Sequence, residues 1–253
     1  MLKCGIFCFS VAGLFSKYFI YLVNKAPPLK KIRTLLVTFN NAIPAYQISA
    51  FRGAVIEKVG HENVLFHNHL GEDKYVYAYP LIQYKHVHNQ PAIFCVDSGV
   101  EEIHHLFEQR NWTIQLLGKK TDLKVDRLDM KTITLNIWDK FFSYTIYRWQ
   151  ALNESNYRKY QELGSMTEKI NMLERILTGN ILSFAKGVAW QLEQPIELTI
   201  SDIQYERLNK MKDIKVAALN LSFRCNVFLP DYIGLGKGVS KGFGVVRRTR
   251  DKS

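Results

Sequence analysis

The spacing of apolar residues switches along this chain in an order that few folds share. Ile32-Arg-Thr-Leu-Leu-Val-Thr-Phe39 alternates and is rich in branched residues, which predicts a strand. Asn40, Asn41 and Pro44 break it. From Tyr46 to Val59 the apolar positions fall at Ile48, Phe51, Val55, Ile56 and Val59, close to helical spacing, and Gly60 supplies a stop. Val64–His69 reads as a short strand, Gly71–Lys74 as a turn, and Tyr75–Lys85 as a further strand in which Pro80 marks an edge or a bulge. Ala92–Val96 is extended. Gly99–Arg110 reads as a helix with Val100, Ile103 and Phe107 inward, and Trp112–Leu117 and Lys124–Ile137 are again strand-like. The order β-α-β-β-(β)-α-β is that of a ferredoxin-like sandwich with one added strand.

The second half repeats the order without repeating the sequence. Phe142–Trp149 alternates. Met166–Leu192 is the strongest helical region, with a break expected near Gly179 or Gly187. Ile196–Ile203 and Ile214–Phe228 read as strands, and Gly244–Arg247 as a short last one. The expected fold class is α+β, built from two tandem ferredoxin-like βαββαβ domains over residues 29–139 and 140–253, after an apolar extension over 1–28.

That extension, apolar from Cys4 to Val23 apart from Lys17 and a few small polar residues, admits several readings. It has the charged start of a signal peptide but no clean cleavage site. As a membrane anchor it is marginal in length. It also fits a disordered extension, or a start assigned too far upstream. The four cysteines show no zinc spacing and no disulfide framework, so a reducing compartment, the cytoplasm, is expected.

With 47% hydrophobic residues the chain can build a real core, but its formal charge of +11 is unusual. An excess of this size favours a polyanionic partner: nucleic acid, an anionic membrane surface or an acidic substrate.

Near the end, Asp231-Tyr-Ile-Gly-Leu-Gly-Lys-Gly-Val-Ser-Lys-Gly-Phe-Gly-Val-Val-Arg-Arg248 places five glycines within eleven residues. The spacing matches neither a dinucleotide fingerprint nor a Walker loop, and the nine residues after Gly244 leave no room for the helix that either requires. An ATP or NAD site is therefore not expected. Glycines let a backbone lie close to another surface and turn N–H groups toward an anion. Lys237, Lys241, Arg247 and Arg248 interleave with or follow them, and Phe243 either stacks on a base or fills the core. The plain reading is a solvated basic tail. The sharper one is contact with a phosphate backbone.

Four of the seven histidines form the pairs His67-Asn-His69 and His86-Val-His88. On strands, each pair would project two imidazoles to one side. Three readings compete: surface or hydrogen-bonded histidines, a metal held by both pairs, and general acid–base chemistry. HExxH is absent, because the histidine of His61-Glu62 is followed by Leu65 at the second ligand position. RNA carries its own attacking 2′-hydroxyl, so two imidazoles near neutrality would suffice to cut it. His104-His105 receives no role.

Together these pieces resemble the RAMP superfamily, and within it the CRISPR repeat-processing endoribonucleases of the branch with two closely spaced histidines. The resemblance rests on GLGKGVSKGFGVV, on Arg52-Gly-Ala-Val-Ile-Glu-Lys58, on Leu65-Phe-His-Asn-His69 and on Tyr77-Ala-Tyr-Pro-Leu-Ile-Gln-Tyr-Lys85, and spans roughly Lys30 to Arg248. It implies the RAMP architecture of two RRM-like domains and metal-independent cleavage of CRISPR repeat RNA. The products would be a 2′,3′-cyclic phosphate and a 5′-hydroxyl. Carried over, His67 and His69 share base and acid work, Lys58 stabilises the phosphorane, and Tyr77 or Tyr75 orients the 2′-hydroxyl. Arg52, Lys237, Lys241, Phe243, Arg247 and Arg248 would contact RNA, and Gly236, Gly238, Gly242 and Gly244 would let the loop approach it. No cofactor, metal or membrane is implied. The implied partners are the repeat RNA, other CRISPR-associated subunits and a second copy of the chain. The rival readings are a non-catalytic RNA-binding subunit of an effector complex and a metalloenzyme using His67, His69, His86 and His88.

Overall fold

The computed structural model describes residues 29–68, 79–206 and 218–249. In the first half, β1 (Lys30–Phe39), α1 (Ile48–Val59), β2 (Ile82–Val87), β3 (Gln90–Val96), α2 (Gly99–Glu102), α3 (His104–Phe107), the hairpin β4 (Thr113–Leu116) and β5 (Lys119–Asp122), and β6 (Val125–Leu135) follow in order. In the second come β7 (Ile137–Trp149), α4 (Glu154–Glu162), α5 (Met166–Gly187), β8 (Leu198–Glu206), β9 (Ala218–Val227) and β10 (Val245–Arg248). The two large sheets are ordered β2-β3-β1-β6 and β10-β7-β9-β8, with every pairing antiparallel. In each sheet the first strand of its half lies inside and the last lies at an edge, which is the ferredoxin-like order. The fold is α+β with two such sheet domains. The added strand was expected before the second helix, where Val64–Phe66 is instead a 3₁₀ turn, and the extra pairing of the first half, the hairpin β4–β5, comes after that helix.

The alternation seen in the sequence sorts two cores. On β1 and β3, Leu35, Val37, Phe39, Ile93 and Cys95 pack with the α1 residues Ile48, Phe51, Val55 and Val59. The opposite face, with Ile32, Leu36, Phe94 and Val96, joins the core of the second half. Strands β1 to β3 are thus covered on both faces, by the helices of their own half and by the second half, while most of β6 is exposed. In the second half α5 contributes Leu173, Leu177, Ile181, Phe184 and Ala185, a stripe at helical spacing. A capping box starts this helix: Glu168 N–H donates to Ser165 Oγ (3.2 Å), and Ser165 N–H donates to Glu168 Oε2 (3.0 Å). It runs through Gly179 and ends at Gly187.

Two expected elements come out differently. Gly99–Arg110 is not one helix but the short pieces α2 and α3. Bonds such as Leu106 N to the Ile103 carbonyl tighten it into single turns, with Val100, Ile103 and Leu106 buried. The expected strand Val64–His69 starts as a 3₁₀ turn, Val64–Phe66, and Asn68 has φ of 59°. His69, Tyr75 and Tyr77 lie outside the described residues, as does the extension 1–28. Among the described residues no helix is long and apolar enough to cross a membrane.

β2 is an edge strand, yet it is almost wholly buried. The glycine loop of the other half packs against it and covers the edge. Tyr79 Oη donates to the Gly234 carbonyl (2.7 Å), Gly234 N–H donates to Gln83 Oε1 (3.0 Å), and Gln83 Nε2 donates to Tyr79 Oη (2.9 Å). Lys85 on β2 is also fully buried, and its Nζ finds no hydrogen-bond partner. Burial pushes this ammonium down to about 7 from its ordinary 10.5. Between those values the unfolded chain holds a proton that the folded chain lacks, so stability rises with pH across the window, and the full cost persists below it. Lys85→Met should therefore melt several degrees above the parent at pH 7. The gap should close as the pH nears 10, and a calorimetric pH series measures it.

Candidate active site and RNA interface

His67 is presented by a turn rather than by a strand. Its N–H and that of Asn68 both donate to the Val64 carbonyl (3.1 and 2.7 Å), which closes the turn after Phe66. Buried Tyr84 and half-buried Arg52 anchor that turn to the first core. Tyr84 Oη donates to the Phe66 carbonyl (3.3 Å), and Arg52 Nη2 donates to the His67 carbonyl (2.8 Å). Tyr84 sits edge-on to Phe51 of α1, with ring centroids 5.9 Å apart, so the anchor itself is packed. Burial lowers the Arg52 pKa and raises that of Tyr84, because each charged form loses water. Expected among the RNA contacts, Arg52 is half-buried and used to hold the histidine turn.

The His67 ring is fixed as well. Nε2 lies 2.7 Å from the His61 carbonyl oxygen, and the two rings are 5.7 Å apart. A carbonyl oxygen only accepts, so Nε2 carries the hydrogen. In the neutral ring Nδ1 then holds the lone pair, the form that takes a proton. His61 carries no sequence motif, because HExxH fails there. Its nearness to His67 comes from the tight path through the 3₁₀ turn, which no periodicity reports.

Lys58 lies in the last turn of α1 and donates to Asn111 Oδ1 (2.6 Å). It stands six residues beyond Arg52, about 240° around the helix, so the two occupy different faces. Arg52 reaches the His67 turn, whereas Lys58 is held against the segment leading into β4.

The second histidine pair does not share one strand face. His86 is on β2, with Nε2 2.9 Å from the Ile43 carbonyl, whereas His88 sits in the β2–β3 turn with φ of 48°. Among the described residues the one group of three with metal-competent atoms close together is His104, His105 and Glu108, and it includes neither His67 nor His86.

The glycine loop is two-sided. Its inner side is core: Ile233, Leu235, Val239 and Phe243 are buried. Phe243 therefore fills the interior, and the Arg148 guanidinium lies 4.4 Å from its ring centre. Gly236, Gly238, Gly242 and Gly244 all have positive φ, from 61° to 89°. The surfaces they meet belong to this chain. At Gly242, a Cβ would stand 3.3 Å from both Ile48 Cγ2 and the Tyr84 carbonyl oxygen. The outer side carries the charge, since Lys237, Lys241 and Arg248 are exposed. Arg247 lies over the Tyr232 ring (4.1 Å), and Arg248 over that of Phe228 (5.1 Å). Asp231 Oδ1 accepts from the Arg248 N–H (2.7 Å) and pairs with Arg247 Nε (3.7 Å), which ties β10 to the segment before the glycine loop.

Comparison with known proteins agrees with this architecture. Residues 30–134 match the model of the Cas6b N-terminal domain, and residues 136–249 that of the Cas6b C-terminal domain. An uncharacterized protein of Methanocaldococcus jannaschii, MJ0978, is 39% identical over 104 residues, which cover 41% of this chain and 69% of that one. A crystal structure of Cas6b superposes with a TM-score of 0.76 at 24% identity, covering 87% of this chain and 100% of the other. A CRISPR RNA processing endoribonuclease Cas6b superposes at 0.67 and 22% identity, with the same coverage. A Cas6 in complex with its product superposes at 0.51 and 10% identity, covering 87% of this chain and 100% of that one.

Proposed function

The chain belongs to the Cas6b family of CRISPR RNA processing endoribonucleases, and from that premise we propose that it cuts CRISPR repeat RNA without a metal ion, through attack of the 2′-hydroxyl on the adjacent phosphate. The oxygen–phosphorus bond to the next nucleotide breaks as the new bond forms. The cut leaves a 2′,3′-cyclic phosphate on one product and a 5′-hydroxyl on the other. One imidazole removes the proton of the attacking hydroxyl, and a second acid returns a proton to the departing oxygen. His67 and His69 divide these tasks. Lys58, bonded to Asn111 in the structure, would leave that partner to offer its charge to the developing phosphorane, and Tyr77 or Tyr75 orients the 2′-hydroxyl.

The observation that carries this reading is the state of His67. Its turn is pinned by Arg52 and Tyr84, and its ring is bonded through Nε2 to a carbonyl. An imidazole held in place is what a general base requires. The exposed charges Lys237, Lys241 and Arg248, with Arg247, fit the phosphates of the bound strand. The test is incubation with the repeat RNA of a neighbouring CRISPR array in excess EDTA, which should give one cut per repeat.

A further inference from the structure

A second concave site lies where the two halves meet, at the β2–β3 turn on one side and the β7–β10 ribbon on the other. It encloses ≈ 460 Å³, within the range of sites that hold a small ligand. Its walls include His86, His88, Tyr147, Arg148, Tyr232 and Arg248, and among the described residues no carboxylate lines it. Asp231 lies beside the last strand, where it pairs with Arg247 and accepts from the Arg248 backbone N–H.

The backbone at this cleft is unusual. Eight non-glycine residues among those described have positive φ, and three of them, His88, Arg148 and Tyr232, line this cavity. His88 is explained by the two-residue turn it shares with Asn89. Arg148 and Tyr232 are bulky residues in a region that side chains avoid, and such outliers gather at functional sites. Arg148 is held there deliberately. Its N–H donates to Asn220 Oδ1 (2.7 Å), its carbonyl accepts from Gly244 N–H (3.1 Å), and the register with β9 slips across it. Tyr147, beside this slip, is 45% exposed and neighbours an arginine braced on Phe243.

We propose that this cleft takes one unstacked nucleotide of the bound RNA, its base against Tyr147 and its phosphate on Arg148 and Arg248. An exposed aromatic ring beside guanidinium groups is the pairing that binds single-stranded RNA. The narrow volume admits one nucleotide and no duplex. The site therefore selects an unpaired position of the repeat, separate from the histidine turn. The inference rests on RNA being the ligand, but not on its being cut.

Binding is measured with repeat RNA made non-cleavable by a 2′-deoxy group at the scissile position, and with a set carrying one abasic site at each nucleotide. Tyr147→Ala should weaken binding about ten-fold, the usual size of one base–aromatic stack. One abasic position should weaken the parent equally and cost nothing further in the variant. Arg148→Gly, which removes the guanidinium and suits the left-handed backbone, should lower affinity while the protein stays folded. If Tyr147→Ala binds within two-fold of the parent, or if every abasic position adds to it, the proposal is wrong. If the coupling appears but the all-ribose repeat RNA, incubated in parallel, is not cut, the nuclease reading fails and the pocket stands. Cutting without coupling removes the pocket alone, and no RNA binding at all removes both.

Discussion

The double variant His67→Ala, His69→Ala should cleave repeat RNA roughly 10²- to 10⁴-fold more slowly than the parent, the usual contribution of positioned acid and base groups. Affinity for the uncut RNA should change far less, because the charges expected to grip phosphate lie on the other half of the chain. The physical ground is the fixed state of His67. With Nε2 bonded to the His61 carbonyl and the turn closed on the Val64 carbonyl, the ring has little freedom to lose on binding. Single-turnover rates with enzyme in excess isolate this effect from binding. A double variant that cuts at the parent's rate would place the chemistry elsewhere.

The second large effect falls on stability. Gly244→Ala should lower the melting temperature by about 10 °C, following from roughly 3 kcal/mol at 2–4 °C per kcal/mol for a chain of this size. Gly244 has φ of 61°, and a Cβ there would overlap the carbonyl oxygen of Leu235. Leu235 N–H donates to the Gly244 carbonyl (2.9 Å), so the two strands of the loop cannot part to make room. The loop in turn bonds through Gly234 to Tyr79 and Gln83, and loosening it loosens the joint between the halves. Gly179→Ala is the counterpart. It sits in the middle of α5 with open space around its Cβ position, and should raise stability by about 1 kcal/mol. Thermal unfolding of the two variants beside the parent gives both numbers.

What the sequence could say about this molecule divides along physical lines. The alternation of Ile32–Phe39 and the stripe of α1 are local consequences of burying one face, and both were legible. So was the repeated element order. Helix α4 was not expected, since it buries little beyond Tyr160 and lacks an apolar stripe. Its cap was readable: Asn153 Oδ1 accepts from Asn156 N–H (2.8 Å). The pair His67-Asn-His69 misled, because Val64-Leu-Phe has the composition of a strand. Long-range bonds from Arg52 and Tyr84 hold it as a turn, and no local propensity encodes them. The glycine loop was read for its lysines, while Ile233, Leu235, Val239 and Phe243 between the glycines already spelled a buried inner side. Arg148, Tyr147 and Asn220 carried no signal, because their conjunction depends on a slip in strand register.

The central claim is that the RNA supplies its own nucleophile. The most direct measurement uses a repeat RNA with a single 2′-deoxy substitution at the nucleotide before the cut, in EDTA, beside the all-ribose RNA. The all-ribose RNA should be cut once, with a 2′,3′-cyclic phosphate and a 5′-hydroxyl at the new ends. The substituted RNA should bind and stay whole. Cleavage of the substituted RNA at the same bond, or a 3′-hydroxyl and a 5′-phosphate at the cut, would contradict it.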